Sequence, residues 1–326
     1  MSDPPQVSVV IPTRDRPDWL RRTLRSVFAQ RGVTLEIIVV DDGSLAQVGV
    51  SGDGAGDLRV TVLRNEASVG VAAARNRGLA AAQGQWTAFL DDDDLWSPDK
   101  LRLQLAALES GAAFAYAGAI VVDPALRPIG SEPAPPPSGL LTALLRDNVI
   151  PGGGSNVVAA TSVLRELGGF DETFGFLADW DLWLRLAVTS RPAACVETLV
   201  AYTHHVGNWS LREPRELTAE FEALARKHHR LSERQGVEFD RVSFGRYLAV
   251  SHRRQGRRLA AMRLYLRTGW GERDIGSLVR GVGALLGEQA IRLAGHRPTA
   301  PPRPAWLATY ATDCESSAVG PTAVSR

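Results

Sequence analysis

Trp86 to Lys100 reads W-T-A-F-L-D-D-D-D-L-W-S-P-D-K, an apolar run followed by four consecutive aspartates and then a proline. Trp86–Leu90 is typical of a buried strand, and Pro98 is expected to open the next helix. Four adjacent carboxylates repel one another, and a divalent cation with oxygen ligands would relieve that repulsion. A solvated acidic turn is the alternative. The carboxyl end of a buried strand favours a ligand site, because open α/β sheets bind ligands there.

The chain before this stretch alternates between strand and helix patterns. Three β-branched runs predict strands: Val7–Ile11, Leu35–Val40 and Arg59–Arg64. Two segments predict helices packed on the sheet: Asp18–Gln30 and Val69–Gln83. The segment Leu45–Asp57 has several glycines and no periodicity, so a loop is expected. This alternation favours an α/β fold with a mostly parallel sheet.

The same alternation continues after the aspartates. It predicts a helix at Asp99–Leu108, a strand at Ala113–Val122 and a closing strand at Ala193–Tyr202. The proline-rich segment Gly130–Gly139 predicts a loop or hinge without regular structure. Pro151–Ser155 (P-G-G-G-S) predicts a flexible loop that is either a connector or faces substrate. It does not match the phosphate-binding GxxxxGK[ST] or GxGxxG patterns.

Composition limits the class of protein. The chain has 326 residues, 44% of them hydrophobic and 22% charged, with a net charge of +1. These values are typical of a soluble globular protein and argue against a general nucleic-acid binder. The two cysteines have no zinc-site spacing, and no apolar run has the length needed to span a bilayer. We therefore expect a cytoplasmic protein.

The region beyond Leu211 shows long helical patterns in place of the alternation of strands and helices. Arg241–Arg267 contains eight arginines and no acidic residue. Four of these arginines are expected to cluster on one side of a single helix: Arg253, Arg254, Arg257 and Arg258. Such a cluster is either a solvated face or a peripheral contact with anionic lipid or a phosphorylated acceptor.

Acidic residues occur at three comparable positions. Asp41 and Asp42 follow the second strand, Asp91–Asp94 follow the fourth, and Asp179 and Asp181 lie on a later helix. The first two groups should share one crevice, because they follow neighbouring parallel strands. One group could bind a base or ribose while the other holds a metal that also binds diphosphate oxygens. The third could supply a general base for an acceptor hydroxyl.

Five separated motifs carry a family resemblance. They are V-S-V-V-I-P-T-R-D-R from Val7, V-V-D-D-G-S from Val39, G-V-A-A-A-R-N-R-G from Gly70, F-L-D-D-D-D from Phe89, and G-G-F-D-E from Gly168 followed by A-D-W-D-L-W-L-R from Ala178. Together they resemble the family 2 glycosyltransferases of the GT-A fold over roughly Pro5–Ser210. The resemblance implies a Rossmann-like catalytic domain at residues 1–211. A helical C-terminal extension at 212–297 and a disordered tail at 298–326 complete the expected organisation.

The resemblance implies a donor site and a metal. Pro12, Thr13 and Arg14 match the loop along the nucleotide, Asp42 the base-binding carboxylate, and Arg75 a basic residue that borders the nucleotide. Asp91 and Asp93 match the D-x-D motif, with Asp93 as the principal ligand of Mg²⁺ or Mn²⁺. Asp92 would lie beside the donor ribose or sugar.

The resemblance also implies the reaction. Asp179 matches the residue that deprotonates the acceptor in inverting members, and His205, or its neighbour His204, matches a histidine near the diphosphate and the metal. The donor would be a UDP- or dTDP-sugar. The acceptor would be a glycan, a lipid-linked glycan or a small molecule in bacterial glycan or natural-product biosynthesis. The alternatives are a nucleotidyltransferase and a catalytically silent glycan-binding protein of the same fold.

Overall fold

A computed structural model describes residues 4–49, 59–205, 214–254, 256–293 and 301–310. Within these ranges one sheet contains nine strands in the order β3-β2-β1-β4-β8-β6-β9-β5, and β7 pairs with β6 at its side. The strands are β1 Val7–Thr13, β2 Leu35–Asp41, β3 Arg59–Arg64, β4 Trp86–Phe89, β5 Leu95–Trp96, β6 Phe114–Val122, β7 Pro128–Glu132, β8 Val158–Ala160 and β9 Pro192–Thr203.

The long strand pairings are parallel. β1 pairs with β2 and β4, β2 with β3, and β6 with β9, all in parallel. Short antiparallel pairings of β8 with β4 and β6 join the two parallel parts. The predicted α/β fold with a mostly parallel sheet is therefore confirmed, and the carboxyl ends of β1, β2 and β4 lie side by side.

Helices cover both faces of the sheet. They are α1 Pro17–Phe28, α2 Val71–Ala81, α3 Lys100–Leu108, α4 Leu140–Leu144, α5 Thr161–Glu166, α6 Ala178–Thr189, α7 Pro214–Lys227, α8 His229–Gln235, α9 Arg241–Arg254, α10 Arg258–Gly271, α11 Ile275–Leu293 and α12 Ala305–Ala308. Alternate residues of β1 enter different cores: Val10 packs in the cluster that contains α2 and α6, whereas Val9 packs with α1 and α3. This alternation follows from the two-residue period of a strand.

The shortest strands of the sheet could not be predicted from the sequence. β5 and β8 have two and three residues, too few to show a hydrophobic period. The loop predicted at Gly130–Gly139 is wrong at its start, because β7 ends at Glu132 and pairs with β6. β7 begins with Pro128 and pairs with one strand only, and such an edge position tolerates a proline.

The C-terminal region differs from the prediction in two respects. The single helix expected to carry four arginines is broken, since α9 ends at Arg254 and α10 begins at Arg258. Gly256 in this break has a φ of 73°. The prediction of a disordered tail does not hold for residues 301–310. Leu307 of α12 is fully buried there, in a cluster with strand residues of the sheet. The tail residues 298–300 and 311–326, and residues 50–57 of the predicted loop, lie outside the described residues. No helix in the described ranges has the length and apolarity required to cross a bilayer.

Candidate active site

A cavity of about 530 Å³ opens at the carboxyl ends of β1, β2 and β4. Nine of the ten residues predicted for the site line it: Pro12, Thr13, Arg14, Asp42, Arg75, Asp91, Asp92, Asp93 and Asp179. The tenth, His205, reaches the cavity indirectly, through a hydrogen bond between its Nε2 and Oδ2 of Asp93 at 2.8 Å. The tertiary structure thus brings together residues that are separated by more than half of the chain.

The four aspartates face different partners. Asp91 pairs with Arg75, and Asp92 accepts a hydrogen bond from Oγ1 of Thr13 at 2.6 Å. Asp93 faces His205, as described above. Asp94 is fully buried and accepts hydrogen bonds from Oγ of Ser155 at 2.5 Å and from the backbone N–H of Thr203 at 2.8 Å. Asp94 therefore ties the cluster to the rest of the sheet, while the other three reach the cavity.

Arg16 is a site residue that the sequence prediction missed. Its Nη1 lies 3.2 Å from Oδ1 of Asp92 and 2.9 Å from Oδ2 of Asp93, so one guanidinium contacts two carboxylates. Arg14 also lines the cavity, but its side chain is about half exposed and lies 3.8 Å from Asp15. Both arginines belong to the loop after β1, and the only sequence signal for Arg16 was its place in that loop.

The cluster holds more carboxylates than the nearby cations neutralise. Burial, then the charge of Asp93, raises the pKa of Asp92 to about 7, and burial raises the pKa of Asp94 well above its usual value. Within the described residues, no three His, Cys, Asp or Glu side chains form a preassembled metal site. The carboxylate oxygens of Asp91 and Asp93 are nevertheless the kind of ligand that Mg²⁺ or Mn²⁺ takes when a diphosphate supplies further oxygens, and His205 hydrogen-bonds to Asp93. The donor set therefore fits the expected divalent cation.

Hydrogen bonds from within the protein occupy all the acceptor positions of the Asp42 carboxylate. Oδ1 accepts hydrogen bonds from Nδ2 of Asn65 at 2.7 Å and from the N–H of Val69 at 2.9 Å. Oδ2 accepts from Oγ of Ser68 at 2.7 Å and from the N–H of Gly70 at 3.0 Å. Burial opposes ionisation of Asp42, but these hydrogen bonds outweigh it and lower the pKa. Asp42 thus fixes the loop before α2, and a base could bind it only by replacing one of these donors.

The P-G-G-G-S segment is a packed element of the site, which corrects the prediction of a flexible loop. Gly153–Ser155 forms a 3₁₀ turn, and Gly153 and Gly154 line the cavity. A Cβ atom on Gly154 would lie 2.5 Å from Nη2 of Arg75, and one on Gly153 would lie 3.1 Å from Oδ2 of Asp179. Glycine at these two positions therefore makes room for Arg75 and Asp179.

Asp179 lies in the first turn of α6 and is 9% exposed. Burial raises its pKa to about 6, although the nearby positive charge of Arg75 lowers it in part. A carboxylate with this pKa is ionised at neutral pH and is a better proton acceptor than an ordinary aspartate. Asp179 can therefore accept a proton at neutral pH.

Asp181, which belongs to the same acidic group, does not reach the cavity. It is fully buried and contacts three side chains: Nε of Arg185 at 2.8 Å, Nζ of Lys227 at 2.7 Å and Nε2 of His228 at 2.8 Å. Because Lys227 and His228 come from the end of α7 and the residue after it, these contacts connect the helical C-terminal region to α6. Asp181 therefore positions the helix that carries Asp179.

An aromatic pair borders the cavity near Asp179. Phe176 lines the cavity, and its ring stacks on that of Tyr247 with centroids 6.3 Å apart and an interplanar angle of 25°. Tyr247 belongs to α9, and its side chain is 44% exposed. The helical C-terminal region thus packs against a side chain that lines the cavity.

Residues 8–167 match glycosyl transferase family 2, the family that the motifs predicted. Several of the relatives that the chain matches are named glycosyltransferases. The chain is 38% identical over 124 residues to a putative teichuronic acid biosynthesis glycosyltransferase, TuaG, of Bacillus subtilis. This alignment covers 35% of the chain and 46% of TuaG.

A longer alignment reaches WfaP of Escherichia coli, a UDP-Glc:alpha-D-GlcNAc-diphosphoundecaprenol beta-1,3-glucosyltransferase. The identity is 26% over 234 residues, which cover 69% of the chain and 89% of WfaP. Among solved structures, residues 1–349 of S. aureus TarS in complex with UDP-GlcNAc superpose with a TM-score of 0.55 and 18% identity. That superposition covers 68% of the chain and 65% of TarS 1–349, and it shows the shared GT-A fold.

Proposed function

We propose that this glycosyltransferase moves a sugar from a UDP-sugar to a hydroxyl group of a lipid-linked glycan, with inversion at the anomeric carbon. The observation that carries the proposal is the single cavity in which the aspartate cluster after β4 and the buried Asp179 both lie. WfaP, which uses UDP-Glc and a diphosphoundecaprenol-linked acceptor by its name, supports the donor and the acceptor class.

The donor half of the site binds the nucleotide and the diphosphate. Pro12, Thr13 and Arg14 border the nucleotide, and Asp42 holds the loop beside the base and meets the base when Ser68 gives up its hydrogen bond. Arg75 pairs with Asp91, so both side chains are held in one orientation before the donor enters. Preorganised groups of this kind lower the cost of ordering the site when substrate binds.

Asp93, together with Asp91 and His205, would hold Mg²⁺ or Mn²⁺. When bound, the cation supplies positive charge that stabilises the charge developing on the leaving diphosphate. Arg16 contacts Asp92 and Asp93 and restrains both carboxylates at the cavity wall. The imidazole of His205 stacks on Trp19 with ring centroids 4.9 Å apart, which fixes the ring that contacts Asp93.

Asp179 acts on the acceptor. Its carboxylate accepts the proton of the acceptor hydroxyl while the oxygen attacks the anomeric carbon, opposite the departing diphosphate. One glycosidic bond forms, the bond to the diphosphate breaks, and the configuration inverts. Phe176 and Tyr247 border the entry beside Asp179, where an acceptor sugar ring could stack.

A donor and acceptor assay tests this function. The purified chain is incubated with UDP-, dTDP- and GDP-sugars and a GlcNAc-diphospholipid acceptor, with Mn²⁺ or with a chelator, and the released nucleotide and the glycan product are measured. We expect UDP release that depends on acceptor and on metal, and a product of inverted anomeric configuration by NMR. Release of pyrophosphate would instead indicate a nucleotidyltransferase, and donor-independent glycan binding without turnover would indicate a silent relative.

One variant and its control test the metal part of the donor half. Asp93→Ala should lose metal-dependent UDP binding by calorimetry, and unchanged binding would place the metal elsewhere. Asp147→Asn is the matched control, because burial also raises the pKa of Asp147 but its side chain lies outside the cavity lining. We expect Asp147→Asn to bind UDP and turn over as the unmodified protein does.

A further inference from the structure

The helices α10 and α11 form a tightly packed antiparallel hairpin. A Cβ on Gly269 would lie 2.7 Å from Cγ of Leu278, and one on Gly281 would lie 2.9 Å from Cδ2 of Leu266. These pairs run in opposite directions along the two helices, which defines the antiparallel arrangement. The inner faces of the hairpin are thus in close contact, so the side chains on the outer faces are free to meet another surface.

The outer face of the hairpin carries large apolar side chains that are exposed. Ile275, Val279 and Val282 lie on one side of α11 and are 75%, 67% and 60% exposed. Trp270 and Leu259, on one side of α10, are 83% and 59% exposed. Single exposed hydrophobic residues are ordinary, but five within one hairpin form a surface that favours an apolar or interfacial partner.

Arginines accompany these apolar side chains. Residues 258–284 contain five arginines and two acidic residues. One of the acids, Asp274, already pairs with Arg246 of α9 at 2.6 Å. Arg263 and Arg267 are exposed on the same side of α10 as Leu259 and Trp270. The outer face is therefore both apolar and basic.

We propose that this outer face of α10 and α11 docks on an anionic lipid surface. Aliphatic side chains enter the boundary between headgroups and acyl chains, a tryptophan is favoured at that boundary, and arginines are attracted to anionic headgroups. A second copy of the same face fits less well, because a symmetric contact would bring the arginines of both copies together. This outer face differs from the helix face of Arg253, Arg254, Arg257 and Arg258, for which the sequence left a solvated surface and a peripheral contact as alternatives.

The outer face of α10 and α11 is connected to the active site through α9. α10 packs directly on α9, where a Cβ on Gly245 would meet the side chain of Thr268. α9 in turn presents Tyr247 to Phe176 at the edge of the cavity. A chain docked in this way would hold its acceptor entry at a fixed distance from the lipid surface. The inference concerns binding, so it stands or fails separately from the proposed donor, acceptor and mechanism.

Vesicle binding of the full chain tests the proposal without any turnover. Co-sedimentation is measured with phosphatidylcholine vesicles and with vesicles that also contain phosphatidylglycerol, at low and high salt. We expect binding to the anionic vesicles only, weakened by salt. The double variant Ile275→Ser/Val279→Ser should bind at least about tenfold more weakly, because two aliphatic side chains no longer leave water.

Val196→Ser is the matched control for the apolar contacts. Val196 is 87% exposed on β9 and lies outside the hairpin, so its replacement should leave vesicle binding unchanged. The charge-reversal variant Arg263→Glu/Arg267→Glu should abolish binding to anionic vesicles. The fluorescence that Trp270 contributes, obtained by subtracting the spectrum of Trp270→Phe, should shift to the blue on vesicles.

Three results would overturn the proposal. The first is an unmodified chain that does not bind anionic vesicles at low salt. The second is binding that both double variants retain in full while circular dichroism shows them folded. The third is a concentration-dependent dimer that the Ile275→Ser/Val279→Ser variant abolishes, since this would assign the face to a second copy of the chain.

Discussion

Replacement of Asp179 by asparagine is predicted to stabilise the fold and to slow catalysis strongly. The carboxyl is buried in α6, and its pKa is raised from 3.8 to about 6. Because the folded protein holds this proton more tightly than the unfolded chain does, ionisation of Asp179 lowers the free energy of unfolding. Asparagine has nearly the same shape and carries no charge, so it removes that cost.

The size of the effect follows from the shift of about two pKa units. At 1.36 kcal/mol per unit, ionised Asp179 destabilises the native state by about 3 kcal/mol. The size of this cost depends on pH: it is absent below about pH 4, grows between about pH 4 and 6, and is complete above about pH 7. Asp179→Asn should therefore match the unmodified protein near pH 4 and exceed its free energy of unfolding by about 3 kcal/mol at neutral pH.

Two measurements check this prediction on the same samples. Urea unfolding at several pH values, in the presence of a chelator, gives the stability difference, and the transferase rate gives the catalytic effect. We expect the rate to fall by about 10²- to 10⁴-fold in Asp179→Asn. In the unmodified protein the rate should fall about tenfold per pH unit below about 6, because the base becomes protonated.

An Asp179→Asn variant that is no more stable than the unmodified protein at neutral pH would show that the carboxylate of Asp179 is not desolvated. A variant that is more stable and fully active would refute the base role alone. Asp147→Asn serves as the control here as well. Burial raises the pKa of Asp147 too, so its replacement can stabilise the fold, but the acid limb of the rate profile should stay in place.

Three further substitutions test other parts of the structure. Asp181→Asn should cost about 3–5 kcal/mol in urea unfolding, because Arg185 and Lys227 lose a fully buried counter-charge and His228 loses a hydrogen-bond partner; a cost below about 1 kcal/mol would contradict that network. Leu307→Ala should lower the free energy of unfolding by about 2–5 kcal/mol, and no loss would mean that α12 does not pack on the sheet. Gly154→Ala should weaken UDP binding measured by calorimetry, because its methyl group would lie 2.5 Å from Nη2 of Arg75, whereas Gly283→Ala, which meets nothing within 4 Å, should bind as before.

The hydrophobic pattern of the sequence was sufficient to predict the strands and helices whose own residues show a clear period. The β-branched runs that became β1 and β2 and the apolar spacing of α1 are visible in sequence, because burial of a strand or a helix face imposes a period. The short strands β5 and β8 have no such period. Their pairing with distant strands defines them, and only the assembled sheet supplies it.

The sequence by itself determined the chemical inventory of the site. The parallel-strand pattern places Asp42 and Asp91–Asp93 at one edge of the sheet, and the family motifs added Asp179. It could not assign partners, because hydrogen bonds and ion pairs join residues far apart in the chain. Only the tertiary structure placed Arg16 between Asp92 and Asp93, saturated the carboxylate of Asp42, and turned Asp181 away from the cavity.

The same distinction holds at the C-terminal end of the chain. The excess of arginine beyond Leu211 is a property of the sequence, and it was sufficient to raise membrane contact as a hypothesis. The helix break at Gly256 and the packing of α10 against α11 decide which side chains share an outer face. Composition fixes how much charge and apolar surface a chain has, whereas the packing of its helices decides where that surface lies.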